Sequence, residues 1–582
     1  MLVLVLVAGA AVVATAQVGI EDRGRVLQAP PLARPAPGGS VVDPVFGTTV
    51  RRLTGATGGG GWATHVYSQL QAFSPDGAYV LLVENGDYVV RRLSNLALQP
   101  IATNTWNAPR WRPSESHTII HYDTNADTDV TVQHTDVVSG ATSDVYTLPA
   151  SYRYVLANQS FDELSRDGRW MAGMVVRSDD AGVIFSVDLV ARSLGAVLTV
   201  PTLYAGPCQS DPIWGEVEPD WVGVSPLGRF LVVQWPRDGD DRCSGLETFD
   251  IRTGAFVGRV SDGHQHGDLG VLPDGTNEFF MTFEFHPSGS PSVGLRSLPG
   301  APSVQPPTYL QVLDWGNADH ISCQGPEGVC LVTSGGDPSN GWTAFEAELF
   351  LQYTDGRVRR IAHHRSSSCG YWVQPRASLS RDGRFAIFAS DQGVSGCGNG
   401  GLGRGEAYQL DLGGTPPTGG VTGRKLSMLA RVLAPERQRL RVLSRDSGVS
   451  LGGGDGSADD PTLHGATLRV KDDSGRFDRT HALAAAGWRR IGGPGARVGY
   501  RYDDPGLVRG PIRRVLFLAG RGIKVAGKGA GLGLSLAMSP QAVEVTLSLG
   551  SRKTCMRFGG TTDWDPKGRF RAVDAAAPGG CS

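Results

Sequence analysis

The chain has 582 residues, with 55 basic and 57 acidic side chains, 80 glycines and 36 prolines. That length exceeds what one hydrophobic core usually holds, so two or more domains are expected. The balanced charge removes the electrostatic argument for nucleic acid or a membrane surface as partner, and the glycine and proline content suits short strands joined by turns rather than long helices.

Residues 2–14 (LVLVLVAGAAVVA) are an apolar run followed by Ala14-Thr15-Ala16. This pattern predicts a signal peptide over 1–16, too short for a comfortable membrane span, and no stable membrane insertion once it is removed. The Pro-rich stretch 17–40 reads as a linker. The eight cysteines fall as Cys208/Cys243, Cys323/Cys330, Cys369/Cys397 and Cys555/Cys581. Four local disulfides in an oxidising compartment is the natural reading, and no zinc-type spacing competes with it.

After an extended segment, DPVFGTTVRRLTG (43–55), one pattern recurs: a polar residue, a strand, a tight turn and a hydrophobic strand. The turns begin at Ser74, Arg112, Ser165, Ser225, Leu272, Gly325 and Ser380, at intervals of 38 to 60 residues. A repeat of this length predicts the blades of a propeller. Asp-Gly suits the turn, because glycine tolerates positive φ and aspartate bonds nearby amides. Residues 43–54 are expected to add an outer strand beside EAYQLDL (406–412) and so close the ring. A second linker at 414–423 leads to strand-like segments over 424–582. The fold class expected is therefore all-β: a seven-bladed β-propeller over 41–413, followed by a smaller β-sandwich-like accessory domain. Gly527–Ser535 reads as a turn between strands rather than a phosphate loop, and Asp455, Asp459 and Asp460 as a solvated loop rather than a calcium site.

Chemistry is expected where the innermost strands begin. Five or six residues ahead of the turns stand Gln69, Asn107, Gln159, Asp220, His266, His320 and Gln374, and His65, Tyr67, His264, Asp268, Asp319 and Arg376 are polar neighbours. No blade has an aliphatic residue at this offset, which predicts a polar funnel at one channel mouth. A wet channel mouth needs no ligand; the sharper reading is a ligand site in which His266, His320 and Asp220 converge, with His266 and His320 as candidate ligands of a divalent metal ion. Only one of His264 and His266 is expected to face inward. His363-His364 reads as a surface pair.

These motifs carry a resemblance. DPVFGTTVRRLTG followed by His65 and FSPDG, then GHQHGDLGVLPDG, DHISCQGPEG, and RIAHHR leading to QPRASLSRDGRFAIFASDQG, resemble the oligogalacturonate lyases. These are TolB-like seven-bladed propellers that cleave small uronate sugars by β-elimination with a bound divalent metal. The resemblance implies a catalytic histidine at His266, a metal-binding histidine at His320 and, loosely, an arginine base at Arg242. It departs in the last blade, where the family's Gln-x-x-His-Pro-His motif is replaced by Tyr371-Trp-Val-Gln374-Pro-Arg376.

Two functions follow as expectations. One is an exported module that binds a carbohydrate or peptide, or serves as a scaffold, through His65, Gln69, Asn107, Gln159, Asp220 and Gln374, with assembly around an extended peptide as a variant. The other is a polysaccharide lyase acting on uronic-acid oligosaccharides. In that case His266 or His320 with Tyr67 or Tyr371 would supply base and acid, and Arg376 would neutralise the carboxylate.

Overall fold

The computed structural model describes residues 18–55, 61–123, 129–160, 162–336, 341–393, 405–412 and, with short breaks, 419–575. The apolar run at 2–14 lies outside these.

The repeated turn is repeated chemistry. Ser74 Oγ donates to Asp76 Oδ1 (2.7 Å) and accepts from Tyr79 N–H (2.9 Å), while Asp76 Oδ1 also accepts from Ala78 N–H (3.0 Å). The same bonds recur at Ser165/Asp167 and at Ser380/Asp382. Each such turn ends on a glycine with φ near 70° (Gly77, Gly168 and Gly383), a conformation that other residues adopt only with strain.

Each turn joins an inner strand to the next strand of an antiparallel sheet. Four-stranded sheets cover 106–147, 152–199, 221–261, 267–312 and 320–363, as blades two to six. Blade one carries Ala63–His65, Tyr79–Glu84 and Asp87–Arg92, with an inner bridge from Phe73 to Val80. Blade seven combines Ser378–Leu379, Phe385–Ser390 and Glu406–Asp411 with Thr49–Arg52, which pairs antiparallel from Thr49↔Asp411 to Arg52↔Tyr408. The first strands of the chain thus complete the last blade. Glu406, buried beneath this closure, is held by Arg52 (2.7 Å) and Arg34 (2.5 Å).

The core lies between blades. Trp170 and Met174 of blade three pack with Val222 and Leu231 of blade four, and Met281 of blade five with Val332 of blade six. Each sheet therefore buries both faces, which explains near-continuous runs such as YVLLVE (Tyr79–Glu84) and FAIFAS (Phe385–Ser390).

The Pro-rich stretch expected as a linker lies against blade six. Ile20 bridges Arg360, and Arg360 Nη1 donates to the carbonyls of Asp22 (3.1 Å) and Arg25 (2.6 Å). Its guanidinium also pairs with Glu348 in an interior where neither side chain is exposed. This contact corrects the reading of His363 and His364. Both are buried, with His363 Nε2 against the Leu27 carbonyl (2.7 Å) and His364 Nε2 against that of Ser334 (3.0 Å). Burial pushes each imidazole down to about 4.

Cys208 pairs with Cys243 and Cys323 with Cys330. Cys369 and Cys555 are also disulfide-bonded, and Cys397 and Cys581, their expected partners, lie outside the described residues.

Residues 419–575 form a five-stranded and an eight-stranded sheet around one core that includes Leu426, Leu468, Val515, Val545 and Phe570. Alternation in Arg439–Leu443 (RLRVL) places Leu440 and Val442 in that core and the arginines outside. Gly522–Lys528 is a strand leading into a short turn, and Asp460 caps Pro461–His464 by accepting from Thr462 N–H (2.8 Å). Asp455 and Asp459 lie outside the described residues. Among the described residues no helix is long and apolar enough to cross a membrane.

Candidate functional site

The starts of the inner strands wall a cavity of about 610 Å³ at one end of the channel. His65, Tyr67, Gln69, Asp220, His264, His266 and Arg376 line it, joined by aromatic surface from Tyr88, Trp221, Tyr371 and Trp372. Of the expected residues, His320, Asp268 and Asp319 are not among its lining. Nor are Asn107, Gln159 and Gln374.

Each of the last three absences has a local cause. At Asn107 a bulge interrupts the pairing, Ala108 takes a φ of 48°, and Ala108 lines the cavity instead. Gln159 ends a short 3₁₀ turn, Ala157–Gln159, that presents Ala157 and Asn158. Gln374 follows another, Tyr371–Val373, and its carbonyl accepts from Arg376 Nε (3.4 Å).

Blades five, six and one bring three rings together. The His266 and His320 imidazoles stack at 4.8 Å between centroids, and Tyr67 meets His320 edge-on at 5.3 Å. Asp319 orders both histidines: its carboxylate bonds His320 Nδ1 (2.7 Å) and its backbone carbonyl accepts from His266 Nδ1 (3.0 Å). Burial opposes ionisation of Asp319, but the His320 bond and the surrounding imidazoles outweigh it and hold the carboxyl below its usual range. His266 is open to solvent on a concave wall, where desolvation and the charge of His320 lower its pKa. Its Nδ1 faces a carbonyl and so carries the proton, leaving Nε2 as the basic nitrogen of the neutral ring. Tyr67 is driven above the usual phenol range by burial and by Tyr371, so it is a proton donor at neutral pH.

Blade seven, next to blade one, adds a cation to the wall. Arg376 is 1% exposed, stands 4.2 Å over the Tyr371 ring and 5.4 Å from that of Trp372, and Trp372 stacks on Trp62 at 3.5 Å. Its backbone holds a φ of 40°, fixed by His65 Nε2 donating to its carbonyl (2.7 Å) and by Ala377 N–H donating to Thr333 Oγ1 (3.0 Å). Its Nη2 is buried without a partner.

Both histidines of the His-x-His motif line the cavity, against the expectation that one would turn away. The regular strand begins only at Gly267, so residues 264–266 are free of strand alternation. His264 Nε2 pairs with Asp220 Oδ2 of the preceding blade (3.1 Å), which raises the pKa of His264. Arg242 is elsewhere: it pairs with buried Glu247 (2.5 Å) and lies 3.4 Å over Phe256.

The metal site expected at His266 and His320 is not assembled by these residues. Asp319 engages each Nδ1, which leaves only the two Nε2 atoms as nitrogen donors, and the buried guanidinium of Arg376 in the same cavity repels a cation. Among the described residues no three His, Cys, Asp or Glu side chains are grouped to hold a metal ion. The donor set fits an anion better than a divalent cation.

Below the cavity the channel is crossed. Gln71 of blade one donates its backbone N–H to Glu163 Oε2 of blade three (2.9 Å), and its Nε2 donates to the carbonyls of Gln324 (3.3 Å) and Leu379 (3.0 Å) in blades six and seven. Arg166 Nη2 of blade three donates to the Gly325 carbonyl of blade six (3.0 Å). Asp268, expected near the mouth, is buried at this level and accepts from Gln324 Nε2 (3.1 Å). Sequence offset had no signal for Gln71, Glu163 or Arg166. Nor did it mark Tyr88, which comes from a second strand, although Trp221 and Trp372 directly adjoin flagged positions.

Among solved structures, an oligogalacturonate lyase from Vibrio parahaemolyticus is similar with a TM-score of 0.45 and 12% identity, over 67% of this chain and 98% of that one. An oligogalacturonate lyase in complex with manganese gives 0.44 and 14%, over the same shares of each chain. TolB from Acinetobacter baumannii gives 0.27 and 13%, over 52% of this chain and 63% of that one. No family model and no curated protein matches the chain. The fold, read from its own sheets, is a β-propeller.

Proposed function

We propose that this protein is an exported carbohydrate-binding propeller whose mouth cavity seats an acidic sugar, with a ligand carboxylate against Arg376. The observation that carries the reading is that guanidinium: buried, stacked on Tyr371, with Nη2 unpartnered in the wall of a 610 Å³ cavity. Arginine matches a carboxylate with two parallel N–H donors, and the flanking Tyr371, Trp372 and Trp221 offer flat faces for sugar rings. The crossed floor speaks against an extended peptide threading the channel, and a roomy lined cavity speaks against a filled scaffold. The disulfides support export to an oxidising compartment.

Calorimetric titration with galacturonate oligosaccharides and with neutral oligosaccharides of equal length tests this. Tighter binding of the acidic series is expected; equal affinity, or none for either, refutes it.

A second reading, a lyase, is favoured by the pairing of a neutral His266 with a protonated Tyr67 beside His320. With Arg376 neutralising the carboxylate, His266 Nε2 would take the proton from the carbon next to it. That electron pair would form a carbon–carbon double bond as the bond to the leaving oxygen breaks, and Tyr67 would protonate the oxygen. Appearance of an ultraviolet-absorbing unsaturated product, lost in both His266→Ala and His320→Ala, is the expected result; no such product from the wild type refutes it.

A further inference from the structure

Three polar atoms in the cavity wall have no protein partner: His65 Nδ1, Gln69 Nε2 and Arg376 Nη2. Their residues are 0%, 3% and 1% exposed, and all three line the same cavity. Buried polar atoms are nearly always bonded, and what sets these three apart is that their residues share the wall of one cavity, where a bound group can be the partner.

Their polarity can be read. His65 Nε2 faces the Arg376 carbonyl at 2.7 Å, and a carbonyl only accepts, so Nε2 carries the ring proton. Burial, with the charge of Arg376 adding to it, pushes the imidazole down to about 3, so the ring is neutral and its Nδ1 is a bare acceptor. Gln69 Nε2 and Arg376 Nη2 are donors. The wall therefore asks for one donor and at least two acceptors, one of them opposite a guanidinium. A carboxylate alone supplies acceptors and leaves Nδ1 unmet. A hydroxyl is the smallest group that gives a proton to one neighbour and takes one from another.

We infer that His65, Gln69 and Arg376 form a subsite that reads a hydroxyl group together with a nearby carboxylate on the same sugar ring, so the cavity selects hydroxy-carboxylates over plain carboxylates. This rests on the acidic-carbohydrate reading and narrows it: Arg376 sets the charge, while His65 and Gln69 set the requirement for a hydroxyl. His65 has a second task as a positioning residue, because the nitrogen opposite the acceptor holds the Arg376 backbone in its left-handed conformation.

The test compares two probes on the full chain, galacturonate and the hydroxyl-free tetrahydropyran-2-carboxylate. Binding is followed by NMR titration with ¹⁵N-labelled histidine. A site built to bond a hydroxyl rejects the analogue that lacks it, so the hydroxyl-free ring is expected to bind about 100-fold more weakly. The His65 Nδ1 resonance should move from a free to a hydrogen-bonded position with galacturonate alone. Gln69→Leu, nearly the same size, should weaken galacturonate about 10-fold and leave the hydroxyl-free ring unchanged, with an unaltered thermal midpoint verifying the fold. Equal affinity for the two probes, or a His65 resonance that does not move, overturns the hydroxyl-reading subsite and leaves the acidic-ligand reading standing. Binding of neither probe, nor of longer galacturonates, overturns that reading itself.

Discussion

At the mouth of the channel His65, Gln69 and Arg376 each keep a buried polar atom without a partner. Two residues further along the same chain segment, Gln71 instead bonds to blades three, six and seven. Both levels are built from polar residues of inner strands, and both are buried. At the floor Gln71 and Arg166 reach across the axis to carbonyls of other blades, which fastens the ring. At the mouth the blades diverge, aromatic rings hold the walls apart, and the polar groups are left facing a space of about 610 Å³. An unmet hydrogen bond in such a place destabilises the empty protein and stabilises a complex, which is the signature of a site rather than of a core.

The contrast can be broken experimentally, most strongly at Arg376. Arg376→Gln should weaken acidic oligosaccharides about 100-fold, on the order of 3 kcal/mol, because a buried charge partner is lost, yet leave the urea midpoint little changed. Titration calorimetry and denaturant unfolding measured side by side check this. Gln71→Ala should do the reverse: it leaves the Gln324 and Leu379 carbonyls unmet, costs about 2 kcal/mol in urea unfolding, and spares affinity.

The two levels also answer pH in opposite directions. At the floor, burial pushes the Asp162 carboxyl up to about 8 from its usual 3.8, and Asp268 lies well above its own usual range, with burial and then Asp162 as causes. A raised carboxyl is protonated in the fold and ionised in the unfolded chain, so its contribution is complete at low pH and is lost as pH climbs from about 4 to about 8. At the mouth, His65 falls to about 3 from 6.5, so its contribution is present above pH 6.5 and lost as pH falls towards 3. Asp162→Asn should therefore stabilise the protein at pH 8 by on the order of 1 kcal/mol and flatten the alkaline side of the stability profile. Thermal melts from pH 4 to pH 9 measure it.

The smallest effect is expected at the rim. Asp220→Asn removes the partner of His264 in a half-exposed pair, so stability should change by about 0.5 kcal/mol or less. The His264 pKa should fall, since the Asp220 bond is its largest raising influence; NMR titration of the ring protons follows it.

Much of this was legible in the residues. The Ser-x-Asp-Gly turns were, because their bonds are local: Ser74, Asp76 and Gly77 determine that turn wherever it is placed. So was the strand at 43–54 closing the last blade, since an open ring leaves an edge that some segment must cover. The offset rule for the mouth held for Gln69, Asp220 and His266, where nothing disturbs the approach to the cavity. It failed at Asn107, Gln159 and Gln374, where a bulge or a short 3₁₀ turn shifts the register by a residue and changes which side chain faces inward, and at His320, whose ring stacks on His266 and is not part of the lining. His363 and His364 look like a surface pair in sequence and are interior: residues 20–27 come from more than 300 positions away to cover His363, and His364 turns to the Ser334 carbonyl.

By itself the sequence determined the blade repeat, its turns, its ring closure and the polar character of one channel mouth, all of which follow from short-range bonding and strand alternation. Tertiary structure alone decided which polar groups meet. Gln71 and Glu163, or His65 and Arg376, lie in different blades, and their distance depends on how the sheets pack around the axis. Partnership across that axis separates the bonded Gln71 and Arg166 of the floor from the unpartnered atoms of His65, Gln69 and Arg376 at the mouth. It also places in the cavity wall, where the resemblance would have a metal-binding histidine, the guanidinium of Arg376 on which the proposed acidic ligand rests.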